Sequence, residues 1–243
     1  MIKTAFVTGG SGGIGGEICK KLAKDGWLVA VGYNSGKAQA ENTVWNITQS
    51  GYTAKAFFCD ISSLESIMQC IDQIRLSFGE VNLLVNNAGT ADIRLFTQLD
   101  DKKMLELINV NLIGAMRLSK AVLPSMIRNH CGNIINISSV WGEQGASCEV
   151  AYSTAKAGLI GFTKALARET APSGIRVNCV SCGLIDTKMN SELSDEDLQA
   201  VIDEIPASRI GKPSDVAGAV EFLAGENSAY ITGQVIRVDG CWI

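Results

Sequence analysis

The sequence predicts an α/β fold: a doubly wound parallel sheet of about seven strands flanked by helices, in one domain over residues 1–243. Three observations predict it. Short apolar runs alternate with longer segments of helical period along the whole chain. Several of the runs are apolar on both faces, as strands buried between two helix layers must be. A glycine cluster, Thr8-Gly9-Gly10-Ser11-Gly12-Gly13-Ile14-Gly15-Gly16, separates the first run from the first helical segment.

In chain order, the strands are expected at residues 4–8, 28–33, 54–58, 83–86, 133–138, 176–180 and 234–238. Helices are expected at 15–25, 38–49, 64–78, 101–128, 150–171 and 213–225. Ser62 with Glu65 reads as a capping box before the third helix. Pro213, followed by Ser214 and Asp215, opens the last helix, because proline is tolerated in a first turn. Residues 186–208 break the rhythm and are rich in acids. An excursion after a strand's C-terminal end is where a substrate loop or lid would sit, or simply a solvated surface segment.

Composition narrows the function. The chain has 243 residues, is 47% hydrophobic and 19% charged, and carries a formal net charge of −4. It can bury a core, and it lacks the basic excess of a nucleic-acid binder. No apolar stretch is long enough for a membrane span, and the N-terminus does not read as a signal peptide. The eight cysteines read as free thiols in a reducing cytoplasm rather than as a disulfide framework. Cys179 and Cys182 form a Cys-x-x-Cys, but it ends a strand, has no second pair, and His130 is the only histidine. A redox or metal role is therefore not expected.

The glycine cluster follows a strand and opens a helix, so its N–H groups can approach a pyrophosphate at a helix N-terminus. Gly10, Gly12 and Gly15 satisfy Gly-x-Gly-x-x-Gly, while Thr8, Gly9, Gly13 and Gly15 satisfy Thr-Gly-x-x-x-Gly-x-Gly. That context predicts a Rossmann-like dinucleotide site. The second strand leads into Asn34, Ser35 and Lys37, with no acid between Asp25 and Glu41. A carboxylate there would repel a 2′-phosphate, so its absence favours NADP(H) over NAD(H). Asn34, Ser35 and Lys37 are the candidate phosphate contacts.

Tyr152 and Lys156 are four residues apart and so share one helix face. Tyrosine normally titrates near pH ~10, and a neighbouring ammonium lowers that value. The pair is therefore expected to exchange a proton with an alcohol or ketone. Ser139 lies thirteen residues before Tyr152.

Thr8-Gly9 with Gly13-Ile14-Gly15, Asp60, Asn86-Asn87-Ala88-Gly89, Asn111, Ser139 and Tyr152 with Lys156 stand in the order and approximate spacing of the short-chain dehydrogenase/reductase family, which the chain resembles over essentially its whole length. The resemblance implies that Tyr152 is the general acid and that Ser139 hydrogen-bonds the carbonyl oxygen. Lys156 would tune Tyr152 and bind the nicotinamide ribose, and Asn111 would hold a water of a proton relay. It further implies cofactor contacts from Gly9, Ser11, Gly12, Gly13, Ile14, Gly15, Asp60, Ile61, Asn87, Ala88, Gly89, Tyr152, Lys156, Gly183, Ile185 and Thr187. Ser138 adjoins Ser139, and only the family's spacing chooses between them. A cofactor-binding scaffold without chemistry would show a broken catalytic set, yet all four residues are present.

Two positions depart from the family pattern. Cys182-Gly183 replaces Pro-Gly, which could loosen the loop or place a reactive thiol near the cofactor. Gly12 replaces an arginine of many NADP-preferring relatives. Residues 152–164, 206–220 and 230–240 most resemble bacterial 3-oxoacyl-acyl-carrier-protein reductases, implying an acyl carrier protein as partner. The basic docking positions of those enzymes correspond to His130 and Ser173, with Arg128 and Arg168 nearby. Residues 95–97 and 140–150 instead resemble a Gram-positive subgroup that reduces a 5-aminopentanone modification on elongation factor P. Trp141, Cys148 and Glu149 then fall on the substrate wall. The resemblance also implies a cytoplasmic homotetramer built on the helices at 101–128 and 150–171.

Overall fold

In a computed structural model, residues 3–188 and 194–243 are described, Asp195 by its backbone alone. Strands β1 (Thr4–Val7), β2 (Leu28–Tyr33), β3 (Ala54–Phe58), β4 (Val81–Asn86), β5 (Gly132–Ser139), β6 (Ile175–Cys182) and β7 (Val235–Val238) pair in parallel, in the order β3-β2-β1-β4-β5-β6-β7. All seven fall where the apolar runs predicted them, within a few residues at the ends. The order reverses between β1 and β4, which leaves a crevice at the carboxyl ends of the strands.

Alternation along each strand feeds two cores. Ala5 and Val7, Val29 and Val31, Leu83 and Val85, and Ile135 and Ile137 face one layer. That layer is built by α1 (Gly13–Lys24), α2 (Lys37–Gln49) and α9 (Pro213–Ala224). Phe6, Ala30, Leu84 and Ile134 face the other, built by α3 (Leu64–Phe78), α5 (Gly114–Arg128) and α7 (Val150–Thr170). Both faces of the sheet are therefore dry, which explains why the strands read as continuous apolar runs. No described helix is long and apolar enough to cross a membrane.

The helix expected at 101–128 is interrupted. α4 (Asp101–Ile108) passes through a wide π-helical turn, Asn109–Ile113, into α5. Inside this turn the Asn111 amide donates to Leu107 O at 2.9 Å and to Thr90 O at 2.7 Å. A side chain aimed out of the helix at a neighbouring loop is one reason for the wider turn. The expected capping box of Ser62 with Glu65 does not form, and the cap moves by one residue. Ser63, not Ser62, is the N-cap of α3 and accepts from Ser66 N at 3.3 Å. Ser62 turns instead to Asp60, its N–H and hydroxyl donating to one carboxylate oxygen at 2.9 and 2.7 Å. α9 starts as expected, with Pro213 at its head and the Asp215 carboxylate accepting from Lys212 N at 2.8 Å.

Two further helices stand outside the six expected ones. α6 (Trp141–Gln144) sits between β5 and α7, and α8 (Asp195–Glu204) lies within the 186–208 excursion. Residues 189–193 of that excursion lie outside the described residues.

The double-sided core gives a stability prediction. Leu84→Ala, at a site with no exposure, should cost ~2–5 kcal/mol. Leu76→Ala, exposed on α3, should stay within about 0.5 kcal/mol of wild type. Urea unfolding midpoints at unchanged slope measure both.

Candidate active site

The glycine loop lies at the switch point between β1 and β4. Gly9 and Gly13 adopt φ of 63° and 53°, which favours glycine. Gly15 is required by proximity: a Cβ there would lie 2.2 Å from Gly9 O and 2.6 Å from Asn87 Nδ2. Thr8 joins the loop to the end of β4. Its Oγ accepts from Asn87 N and Ala88 N, both at 3.0 Å, and the Asn87 amide donates to Thr8 O at 2.9 Å. These contacts hold a concave backbone surface at the N-terminus of α1, and Ile14 packs its side chain against the core beneath. The missing Cβ of Gly15 lets α1 close onto the loop, and the loop's N–H groups at that helix N-terminus form a cradle that fits a pyrophosphate.

Other predicted contacts border the cradle. A Cβ on Gly36 would lie 3.1 Å from Ser11 Oγ, so Ser11 meets the turn that carries exposed Asn34 and Ser35. Cys59 N–H donates to Tyr33 O at 2.7 Å, bringing the end of β3, with Asp60 and buried Ile61, beside the end of β2. Gly12 has nothing within 4 Å of where its Cβ would be, and its φ of 162° is extended. A larger residue is therefore compatible with the backbone at Gly12. On the far side, Thr187 comes within 3.4 Å of a Cβ built on Gly13. Ile185 is buried and bridges to Gly211, and Gly183 N–H donates to Val238 O at 3.0 Å.

Ser139, Tyr152, Lys156 and Asn111 converge from three segments. β5 ends at Ser139, α7 supplies Tyr152 and Lys156, and the π-turn supplies Asn111. The Ser139 hydroxyl neighbours the Tyr152 phenol, whose titration it lowers, and accepts from Trp141 N at 3.2 Å. Ser138 points elsewhere and donates to Lys156 O at 3.0 Å. Pleating thus distinguishes the two serines, because successive strand residues face opposite sides. Lys156 Nζ donates to Ile137 O at 2.9 Å and lies 5.5 Å from the Tyr152 ring centroid. Asn111 Oδ1 and Lys156 Nζ crowd the same side of Gly89, 2.7 and 3.5 Å from where its Cβ would be. Asn111 Oδ1 also accepts from Thr90 N at 3.2 Å.

The electrostatics differ from the sequence expectation at one point. Tyr152 was expected to be lowered by Lys156. Burial instead pushes the phenol well above its ordinary value, the charge of Glu149 adds to this, and the Ser139 hydrogen bond opposes it. Burial also depresses Lys156 to about 8. Desolvation thus dominates both groups and favours their neutral forms.

Cys182 resolves as a structural substitution. It is 6% exposed at the end of β6, and burial pushes its thiol up to about 12. Cys179 is also raised to about 12 by burial. At positions i and i+3 of one strand the two face opposite sides, which rules out a local bridge or shared ligand. Among the described residues no cluster of metal-ligating side chains occurs.

The segment between Ser139 and Tyr152 makes long-range pairings that no motif announced. Glu143 receives Arg237 through Nε at 3.0 Å and Nη2 at 2.7 Å, which keeps its carboxyl below the usual range. The Trp141 and Trp242 rings meet edge to face at 4.9 Å. Glu149, half-buried before α7, has its carboxyl raised by burial. Pairing across nearly a hundred residues leaves no local signal to read.

Fold and site together define a nucleotide-binding oxidoreductase of the doubly wound type. The family profile described as short chain dehydrogenase matches residues 3–198. The chain is 41% identical to the 3-oxoacyl-[acyl-carrier-protein] reductase FabG of Salmonella typhimurium, over 98% of this chain and 96% of the relative. It is 38% identical to the uncharacterized oxidoreductase YmfI of Bacillus subtilis, over 100% of this chain and 99% of that one. A putative gluconate dehydrogenase from Agrobacterium tumefaciens superposes with a TM-score of 0.95 at 31% identity, covering 98% of this chain and 94% of that structure. The chain belongs to the short-chain dehydrogenase family and is a FabG-like oxidoreductase. The family binds a nicotinamide cofactor, and the cradle fits one.

Two outcomes follow from the titrations. With Lys156 at about 8, its burial penalty is present in full below that pH. Above it, the folded chain has released a proton that the unfolded chain keeps until pH ~10.4, so this group makes stability rise with pH. Tyr152, raised when folded, adds no slope below its unfolded value of ~10. The Tm of wild type should therefore gain on that of Lys156→Met between pH ~7 and ~9; a constant difference would show that Lys156 keeps its proton. Separately, iodoacetamide should label exposed Cys131 and Cys241 in the native protein and spare Cys179 and Cys182 until denaturation. Peptide mass spectrometry reads the sites.

Proposed function

We propose that the protein reduces a ketone to a secondary alcohol with NADPH, and that its substrate class is a 3-oxoacyl thioester on an acyl carrier protein. The observation that carries this reading is the convergence of Ser139, Tyr152 and Lys156 beside a cradle suited to a dinucleotide. When bound, a nicotinamide supplies the hydride. Tyr152 gives the proton to the carbonyl oxygen, and its raised pKa keeps that proton in place at neutral pH. Ser139 donates to the same oxygen as charge develops there. Lys156 binds the nicotinamide ribose and, as an ammonium, offsets negative charge on Tyr152. Both Asn111 amide hydrogens are taken by Thr90 O and Leu107 O, and Oδ1 accepts from Thr90 N. A relay water would take the remaining Oδ1 lone pair or a main-chain carbonyl of the π-turn, where i→i+4 pairing is interrupted.

The preference for NADPH is supported by the absence of an acid at the end of β2 and by Ser11 meeting the Asn34–Ser35 turn. The single domain, the cover supplied by residues 186–208, the cytoplasmic location and the homotetramer belong to the same reading. Exposed Leu105 on α4 and Met116 on α5 support a further subunit contact there.

A second reading has its own observation. The positions that correspond to the docking arginines are uncharged Ser173 and the lone histidine, His130. They adjoin, since a Cβ on Gly174 would lie 2.8 Å from His130 O. Meanwhile Glu149 is half-buried beside Tyr152, inside the wall. That carboxyl suits an amine-bearing ketone such as 5-aminopentanone on elongation factor P, with Trp141 and Cys148 on the same wall.

NADPH oxidation by acetoacetyl-acyl-carrier-protein, compared with oxidation by the modified factor, tests the two readings. Activity on neither removes both substrates. NADPH should bind at least about tenfold more tightly than NADH, and Tyr152→Phe should lose on the order of 10²–10⁴ in kcat while NADPH affinity holds. Turnover that survives in Tyr152→Phe would overturn the acid assignment.

A further inference from the structure

We propose that Trp242, next to the C-terminal residue, is a positioning residue: it fastens α6 to the end of α8 and through α6 fixes the hydroxyl of Ser139. This inference rests on the reductase reading for its kinetic consequence, but its structural core does not.

α6 has four residues, far too few to persist without outside support. Yet its first N–H, that of Trp141, donates to Ser139 Oγ at 3.2 Å and so orients that hydroxyl. One side of α6 is wedged against α7: a Cβ on Gly142 would lie 2.7 Å from the Lys156 carbonyl carbon. The other side is held by the C-terminal segment. Arg237 clamps Glu143, and the Trp242 ring packs on that of Trp141 at 4.9 Å with an interplanar angle of 62°. Trp242 Nε1 then donates to Glu204 Oε2 at 3.2 Å, on the last residue of α8. Ala207 N–H donates to Gly240 O at 3.1 Å, a second tie between the chain after α8 and the C-terminal turn.

The C-terminal turn is itself braced. Asp239 accepts from Cys241 N at 3.0 Å and from Ile243 N at 3.3 Å, and Arg237 Nη1 donates to Ile243 O at 3.0 Å. Cys241 adopts a φ of 69°, a cost that persists where surroundings impose it. An indole has both the aromatic face for Trp141 and the N–H for Glu204. Phenylalanine keeps the first contact and loses the second.

Hydrogen exchange and kinetics on the full chain test this together. In Trp242→Ala, amides of residues 141–144 and 198–204 should both exchange faster than in wild type, while in Leu76→Ala neither should change. With NADPH and the thioester, Trp242→Ala should lose on the order of 10–100-fold in kcat/KM while NADPH affinity stays within about twofold. Trp242→Phe should recover most of the loss. Glu204→Ala should match Trp242→Phe, and the double variant should be no worse than either, as for two partners of one contact. Unchanged exchange at 141–144 in Trp242→Ala overturns the proposal, whatever the substrate. So does a kcat/KM within about twofold of wild type. A wild type inactive on thioesters would remove the substrate reading and leave the exchange result to decide this one.

Discussion

A lysine ammonium taken out of water constrains the centre of this molecule. Lys156 is 4% exposed, and a cation at such depth needs oxygen or sulfur around it. The polar surroundings come from parts that must all be placed by the sheet. Ile137 O lies on β5, and Asn111 in the π-turn beside Gly89. Two adjacent parallel strands and the helix that crosses over them meet at one end of the sheet only. The burial that stabilises the sheet on both faces is thus also what depresses Lys156 and raises Tyr152.

Irregular pieces do the fine placement. A π-turn frees a side chain from the helix ladder, so Asn111 reaches Thr90 and pins the loop after β4. One threonine hydroxyl accepts two N–H groups and donates to Val85 O at 3.3 Å, so Thr8 locks the glycine loop to the same loop after β4. The nucleotide side and the proton side are therefore braced by a common segment, Asn87 to Thr90. A shift of that segment would disturb both halves of the site.

The sequence made the regular framework legible because its signals are local. Strands dry on both faces read as apolar runs, and Pro213 with Asp215 marks a helix start at short range. The glycine loop was legible for the same reason, its function depending on residues within one turn. What stayed hidden depends on distant partners or on small local competition. Ser63 takes the cap of α3 because Asp60 captures Ser62, a choice that the capping pattern alone does not reveal. The break at Asn111 answers to Thr90. α6 is touched by Arg237 and Trp242, which are near it only after folding. The direction of the Tyr152 shift failed for a quantitative reason: the Tyr-x-x-x-Lys spacing reports a neighbouring charge, but not how little water either group keeps.

That failure sharpens the chemistry. A general acid for a ketone must hold its proton in the ground state and release it as the oxygen gains charge. A buried phenol meets the first condition at neutral pH without help from Lys156. The second condition is met when negative charge moves toward the phenolate, because only then does a nearby ammonium act with full effect in a poorly solvated site. On the proposed assignment, Lys156 and Ser139 would favour the later stage of proton transfer, while burial and Glu149 favour the start. An exposed Tyr-Lys pair would be easier to ionise and poorer at this division. Under that assignment, placing the pair against a sheet that is dry on both sides would make the fold itself the means of tuning the acid.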